Sequence, residues 1–139
     1  MNLSTEHIKF LHSVGKNCCD EEIILLVGNS KDKVTHLHRV PNISKTKIDR
    51  YVPDPEIMFN VLSRTKLIDE NSELYFVGVY HTHPNGYSIP SSIDIKNANY
   101  DCFYLIYGQK DRKLQAYKQD RKRNIIFEKE PIHEYEESY

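Results

Sequence analysis

"HTHPNGYSIPSSID", residues 81–94, is the stretch on which the reading of this chain turns. His81 and His83 are two apart, and side chains alternate along a strand, so both imidazoles project from one face. The apolar run "LYFVGVY" leads directly into them, which predicts a buried strand with the pair at its end. Gly86 lets the following loop turn without steric cost, and Pro84 and Pro90 stiffen it on both sides. Ser91 and Asp94 come next, Asp94 lying eleven residues past His83. Two histidines and one carboxylate make three protein ligands, the number a catalytic zinc site uses while keeping a fourth position open. The same "PSSID" also reads as a helix start, with Ser91 as cap and Asp94 at the positive end of the helix dipole. The two readings are compatible, because a helix start fixes where a third ligand points.

Outward from this stretch the chain alternates strand and helix patterns. "STEHIKFLHSVG" carries Ile8, Leu11 and Val14 at helical spacing; Ser4-x-x-His7 is an imperfect capping box, Thr5 is taken as the cap, and Gly15 as the end. "EIILLVG" is a continuous apolar run closed by glycine, expected as a strand buried on both faces. "KVTHLHRV" alternates in period two and reads as a half-buried strand. It contains a second pair, His36-x-His38, but no carboxylate at a matching distance, so a solvent-facing or packing role is expected there. "DPEIMFNVLSRTKLIDEN" is expected as an amphipathic helix capped by Asp54, with Ile57, Met58, Val61, Leu62 and Leu67 on one face. "SSIDIKNANY" starts a short helix, "CFYLIYG" is another buried strand, and "KLQAYKQ" and "NIIFEKE" read as antiparallel edge strands. The tail after Pro131, "IHEYEESY", is expected to be frayed or loosely docked. Helices between buried strands predict an α/β (α+β) fold, a single mixed β-sheet flanked by helices.

Composition narrows the function classes. A chain of 139 residues with 39% hydrophobic and 28% charged residues fits one globular domain that needs no staples. A net charge of −1 gives no general attraction to nucleic acid or anionic membrane. The longest apolar run, Ile23 to Val27, is too short to span a bilayer, and the N-terminus lacks the apolar core of a secretory signal. Cys18, Cys19 and Cys102 form no paired framework and no C-x-x-C, as expected for free thiols in a reducing cytoplasm.

With the spacing complete, His81-x-His83, seven intervening residues, Ser91-x-x-Asp94 resembles the H-x-H-x7-S-x-x-D signature of the JAMM (MPN-plus, JAB-like) zinc metalloproteases. The approach "YFVGVYHTHP" is similar to that family's apolar strand, and "YVPDPEIMFNVL" to the helix before it. The family also uses a glutamate in an E-x-x-G-x-x-x-G strand. Glu21 stands seven residues before Gly28 as that pattern requires, although Ile24 replaces the first glycine, and Glu22 is the rival. A one-residue shift sends the side chain to the other face of the strand, so only one of the two can serve. The resemblance covers residues 5–128, with a domain expected over 1–130 and an acidic C-terminal tail over 131–139.

The resemblance implies a JAB/MPN fold, of cytidine-deaminase-like architecture, and a Zn²⁺ held by His81, His83 and Asp94 with water in the fourth place. It implies Glu21 as proton acceptor and donor, and Ser91 as a hydrogen-bond donor to the developing oxyanion. The reaction implied is amide hydrolysis at the C-terminus of a ubiquitin-like or sulfur-carrier-like protein, as deconjugation or precursor processing. The compact chain lacks the long insertions of eukaryotic deubiquitinases and is similar to stand-alone prokaryotic members. Such proteins occur beside activating and conjugating (E1-like and E2-like) enzymes, including in antiviral operons. Two rivals are a RadC-like JAB protein linked to DNA repair and a non-catalytic MPN scaffold. The first lacks support from a basic patch, "QDRKR" being a single short turn, and the second from the retained ligands. A cytidine deaminase would need H-x-E and P-C-x-x-C, which are absent.

Overall fold

The computed structural model describes residues 1–47 and 49–137. Its elements are β1 (Asn2–Ser4), α1 (Thr5–Asn17), β2 (Ile23–Gly28), β3 (His36–Val40), α2 (Pro55–Leu62) and β4 (Tyr75–His83). They continue with α3 (Ser92–Asn97), β5 (Phe103–Gly108), β6 (Lys113–Asp120), β7 (Ile125–Glu130) and β8 (His133–Tyr135). Six strands form one mixed sheet in the order β3-β2-β4-β5-β6-β7. Only the central pair β4–β5 is parallel. This is the expected α+β architecture.

Both faces of the sheet are covered, which is why β2 reads as an unbroken apolar run. Ile24 and Leu26 point toward α1 and pack with Leu11, Val14, Tyr80, Leu105 and Tyr107. Ile23 and Leu25 point the other way, into a second cluster with Val79, Tyr104 and Ile106, against which Met58 and Val61 of α2 pack. Burying a side chain of this size contributes roughly 1.5–3 kcal/mol, so the two clusters dominate the stability of the fold.

The structure corrects several boundaries. Ser4, not Thr5, caps α1, its hydroxyl accepting from the His7 amide at 3.1 Å. The helix runs past Gly15 to Asn17. Gly15 does not end it but allows close packing on the sheet, since a Cβ there would overlap the Tyr107 ring. Asp54 caps α2 as expected, accepting from Glu56 and Ile57. That helix stops at Leu62, well short of Asn71, because hydroxyls divert its last carbonyls. Ser63 donates to Asn60 and buried Thr65 donates to Leu62. Leu67 therefore lies outside the helix and is half exposed. Within the described part of the tail, β8 pairs in parallel with β1 as a separate two-stranded sheet, and Tyr135 donates its hydroxyl to the Val34 carbonyl. The chain is therefore docked rather than frayed as far as Tyr135; residues 138–139 lie outside the described residues. No helix among the described residues is long and apolar enough to cross a membrane.

Candidate metal centre

Sheet register sets the site. His81 pairs across from Ile23 in the antiparallel β2–β4 ladder, so both lie on the α2 side of the sheet. His83 follows on the same face at the end of β4. Glu21 stands two residues before Ile23 and shares that face, and its carboxylate lies 3.8 Å from His83 Nε2. Glu22 points away, 3.7 Å from Arg39. Of the two glutamates that the sequence offered, it is Glu21 whose carboxylate lies beside the histidines. Its backbone is held by the loop before α2. The Glu21 amide donates to Lys47 O, and Asn42 Nδ2 donates to Glu21 O.

Asp94 arrives from the other side. Ser91 Oγ accepts from the Asp94 amide at 3.1 Å, and Asp94 Oδ2 accepts from the Ser91 amide at 2.8 Å, a reciprocal capping box at the start of α3. The capped carboxylate meets both histidines, Oδ1 lying 3.2 Å from His81 Nε2 and Oδ2 3.0 Å from His83 Nε2. The two Nε2 atoms are themselves 3.1 Å apart. Ser91 is exposed. Its oxygen only accepts in the cap, so its O–H stays free to donate.

The donor chemistry of this cluster fits a cation. His83 Nδ1 lies 2.7 Å from the Tyr87 carbonyl, which can only accept, so the ring proton sits on Nδ1 and the lone pair on Nε2. That lone pair then faces a carboxylate oxygen and a second imidazole nitrogen. Such an arrangement repels unless a proton or a metal ion lies between them. Ligand atoms around a tetrahedral zinc, at bond lengths of about 2.0–2.1 Å, stand about 3.3 Å from one another. The separations here are close to that. Among the described residues, Glu21, His81 and His83 also form the group whose ligand atoms lie mutually within 4.8 Å. Glu21 Oε2 and His81 Nδ1 are buried without a hydrogen-bond partner.

Electrostatics follow from burial and proximity. Burial pushes the Glu21 carboxyl up to about 8, partly offset by His83. Burial holds His81 below its ordinary range in spite of Asp94. For His83 burial acts in the same sense, but the hydrogen bond and charge of Asp94 outweigh it and raise the value. Burial likewise opposes ionisation of Asp94 and is overcome by its hydrogen bonds to both histidines, which hold it well below the usual carboxylate range.

The structure also brings in residues that the sequence did not announce. Tyr51 stacks on His81, with ring centroids 4.3 Å apart. With Met58, Val79, Asp94, Tyr100 and Tyr104 it lines a cavity of about 360 Å³ that opens beside the ligand cluster. Tyr51 precedes the V-P-D-P that leads into α2, a position that neither period nor spacing marks. His36 and His38 stack nearly parallel on the edge strand, with ring centroids 6.5 Å apart. The cysteines are free, and buried Cys102 has its thiol pushed up to about 12 by burial.

Comparison with known proteins places the chain in a family. A family model described as prokaryotic homologs of the JAB domain matches residues 7–121. A probable TtuB-protein conjugate cleaving protease of Thermus thermophilus is 32% identical over 69 residues, covering 50% of this chain and 44% of that protein. A desampylase of Haloferax volcanii is 27% identical over 94 residues, covering 67% of this chain and 65% of that one. The matched segment thus spans less than two thirds of either relative. A protein from Desulfitobacterium hafniense has a TM-score of 0.76 at 19% identity, covering 98% of this chain and 93% of that one. A JAB1/MPN domain protein from Archaeoglobus fulgidus has a TM-score of 0.61, also at 19% identity, with 97% of each chain covered. At such identities the structural likeness speaks to the fold.

Proposed function

The chain belongs to the family of prokaryotic JAB-domain homologs, and from that membership we propose that it is a zinc-dependent isopeptidase or peptidase of JAMM type. The substrate in this reading is an amide bond at the C-terminus of a ubiquitin-like or sulfur-carrier protein. The observation that carries the reading is the meeting of His81 Nε2, His83 Nε2 and the Asp94 carboxylate, with Glu21 beside them. The names of the two relatives, one a protease of TtuB conjugates and the other a desampylase, support the substrate class.

His81, His83 and Asp94 would hold the zinc. A zinc ion there supplies Lewis acidity and makes water nucleophilic near neutral pH. The protein's own groups do the rest. Glu21 takes the proton from the attacking water and returns it to the leaving amine. Its raised pKa places it near operating pH, and a cation nearby draws it down toward neutrality. Ser91 donates its free O–H to the oxygen on which negative charge develops. Tyr51, packed on His81, shields that ligand from water and forms one wall of the substrate cavity. In this reading the catalytic domain occupies residues 1–130 and is followed by an acidic tail, 131–139, whose residues 133–135 pair with β1. The enzyme acts in the cytoplasm, in company with activating and conjugating enzymes.

The deciding experiment is metal analysis of the purified protein together with cleavage of a ubiquitin-like conjugate. We expect about one zinc per chain and activity that chelation removes and zinc restores. Protein that takes up no zinc and cleaves no conjugate in its presence would overturn the proposal.

A further inference from the structure

The loop that carries the chain from His83 to Asp94 rests on the turn between β5 and β6. Gln109 N donates to His83 O, Lys110 N donates to Gly86 O, and the Gln109 side chain accepts from the Asn85 amide at 2.9 Å. Ser88 is the most heavily bonded point of the loop and is fully buried. Its amide donates to both Asp111 oxygens at 3.2 Å and its hydroxyl donates to Asp111 Oδ2 at 2.6 Å. Gln115 donates to the Ser88 hydroxyl and Tyr117 to the Ser88 carbonyl, each at 2.7 Å. Gly108 is packed so closely underneath that a Cβ there would overlap Ser88 N and the Tyr87 carbonyl carbon.

One peptide unit links this network to the ligands. The Tyr87 carbonyl that accepts from His83 Nδ1 and the Ser88 amide that donates to Asp111 are the two ends of the same peptide. We propose that Asp111 is a positioning residue of the metal centre: its carboxylate orients and polarises the Tyr87–Ser88 peptide, which fixes the His83 tautomer and strengthens Nε2 as a ligand. The inference rests on the reading of His83 as a metal ligand. Metal-binding histidines commonly donate their second nitrogen to a carboxylate or a carbonyl, and such partners tune affinity. Here a carboxylate backs up the carbonyl, and hydrogen bonds in a chain polarise one another. Burial opposes ionisation of Asp111, but its hydrogen bonds from Ser88, joined by the backbone amides of Lys113 and Asp111, outweigh that effect and favour the carboxylate.

The test compares wild type with Asp111→Asn and Asp111→Ala. Three quantities are read: zinc Kd by chelator competition, the NMR signal of the His83 Nδ1 proton, and the melting temperature of the chelated protein. Loss of a direct partner typically costs 10–100-fold in metal affinity. One peptide further out, we expect roughly tenfold weaker zinc binding in D111A and about threefold in D111N. D111N should shift the His83 Nδ1 proton upfield while leaving the chelated protein's melting temperature nearly unchanged, which a merely structural role would not produce. Zinc Kd within twofold of wild type in both variants, or an unmoved His83 proton, overturns the relay. Wild-type protein that binds no zinc overturns the metalloenzyme reading instead, and the His83 proton still decides the relay.

Discussion

The ring of Tyr51 lies against that of His81 with centroids 4.3 Å apart and planes inclined by 26°. His81 has no solvent exposure, and Tyr51, which stacks on it, comes from a loop rather than from the sheet. An aromatic contact of this kind contributes about 0.5–1.5 kcal/mol beyond burial. Tyr51→Phe should therefore keep zinc affinity within about twofold. Tyr51→Ala should weaken it about fivefold and open His81 to water. Chelator competition on the two variants checks this; equal affinities would mean that the stack plays no part in holding the ligand.

Glu21 and Glu22 are neighbours in sequence, but their side chains point to opposite faces, one toward His83 and the other toward Arg39. Glu21→Gln should retain zinc and lose a factor of about 10²–10⁴ in kcat, the usual contribution of a positioned acid–base group. Glu22 forms a half-exposed pair with Arg39, and its Gln variant should stay within about threefold of wild type. Single-turnover cleavage with zinc content measured in parallel distinguishes the two. A dead Glu22 variant beside an active Glu21 variant would reverse the assignment.

Ser91 has two tasks that can be separated. Replacing a capping serine by alanine costs about 1 kcal/mol of stability, whereas glycine costs only a few tenths. Both remove the hydroxyl. If Ser91 donates to the oxyanion, Ser91→Ala and Ser91→Gly should both lose roughly 10²-fold in kcat despite different melting temperatures. Ser91→Thr should recover most of both. A kcat that simply follows the melting temperature across the series would reduce Ser91 to a cap.

Zinc should stabilise the protein increasingly as pH rises from 6.5 to 8. In chelated protein, Glu21 holds its proton to about 8 in the folded state but releases it near 4.5 when unfolded, so stability falls through that window. Protonated His83 paired with Asp94 contributes fully below its unfolded value of 6.5, and the contribution is lost as pH rises through its higher folded value. In loaded protein the trend reverses, because less acid competes for His83. Affinity then grows by up to tenfold per pH unit, about 1.4 kcal/mol, while that ring titrates. Remote groups such as the partly buried Met1 ammonium cancel in the difference between loaded and chelated melting temperatures. A difference that shrinks between pH 6.5 and 8 would contradict the assignment.

The strand–loop–helix from Tyr75 to Asn97 was legible in the sequence because its constraints are local. Alternation puts His81 and His83 on one face, and a capping box aims Asp94. Glu21 was legible only as one of two, since the choice depends on Ile23 standing opposite His81, a pairing between segments far apart in the chain. The end of α2 was misplaced because hydroxyl competition from Ser63 and Thr65 outweighs an apolar periodicity that continues past it. β8 was missed because a three-residue strand carries almost no pattern and forms only where β1 offers an edge. Asn42 and Asp111 gave no signal, and Tyr51 none beyond standing at the head of "YVPDPEIMFNVL", since their roles are tertiary contacts without a characteristic spacing.

The parallel pairing of β4 with β5 has one more consequence. Parallel neighbours require a crossover, and the crossover here is the very segment that holds Ser91 and Asp94. Chain topology and ligand geometry are therefore one construction. A molecule in which β5 has not docked beside β4 has His81 and His83 but no anchored Asp94. In the proposed metalloenzyme, zinc affinity would therefore report on the docking of β5, and insertions should be better tolerated between α2 and β4 than anywhere between His83 and Phe103.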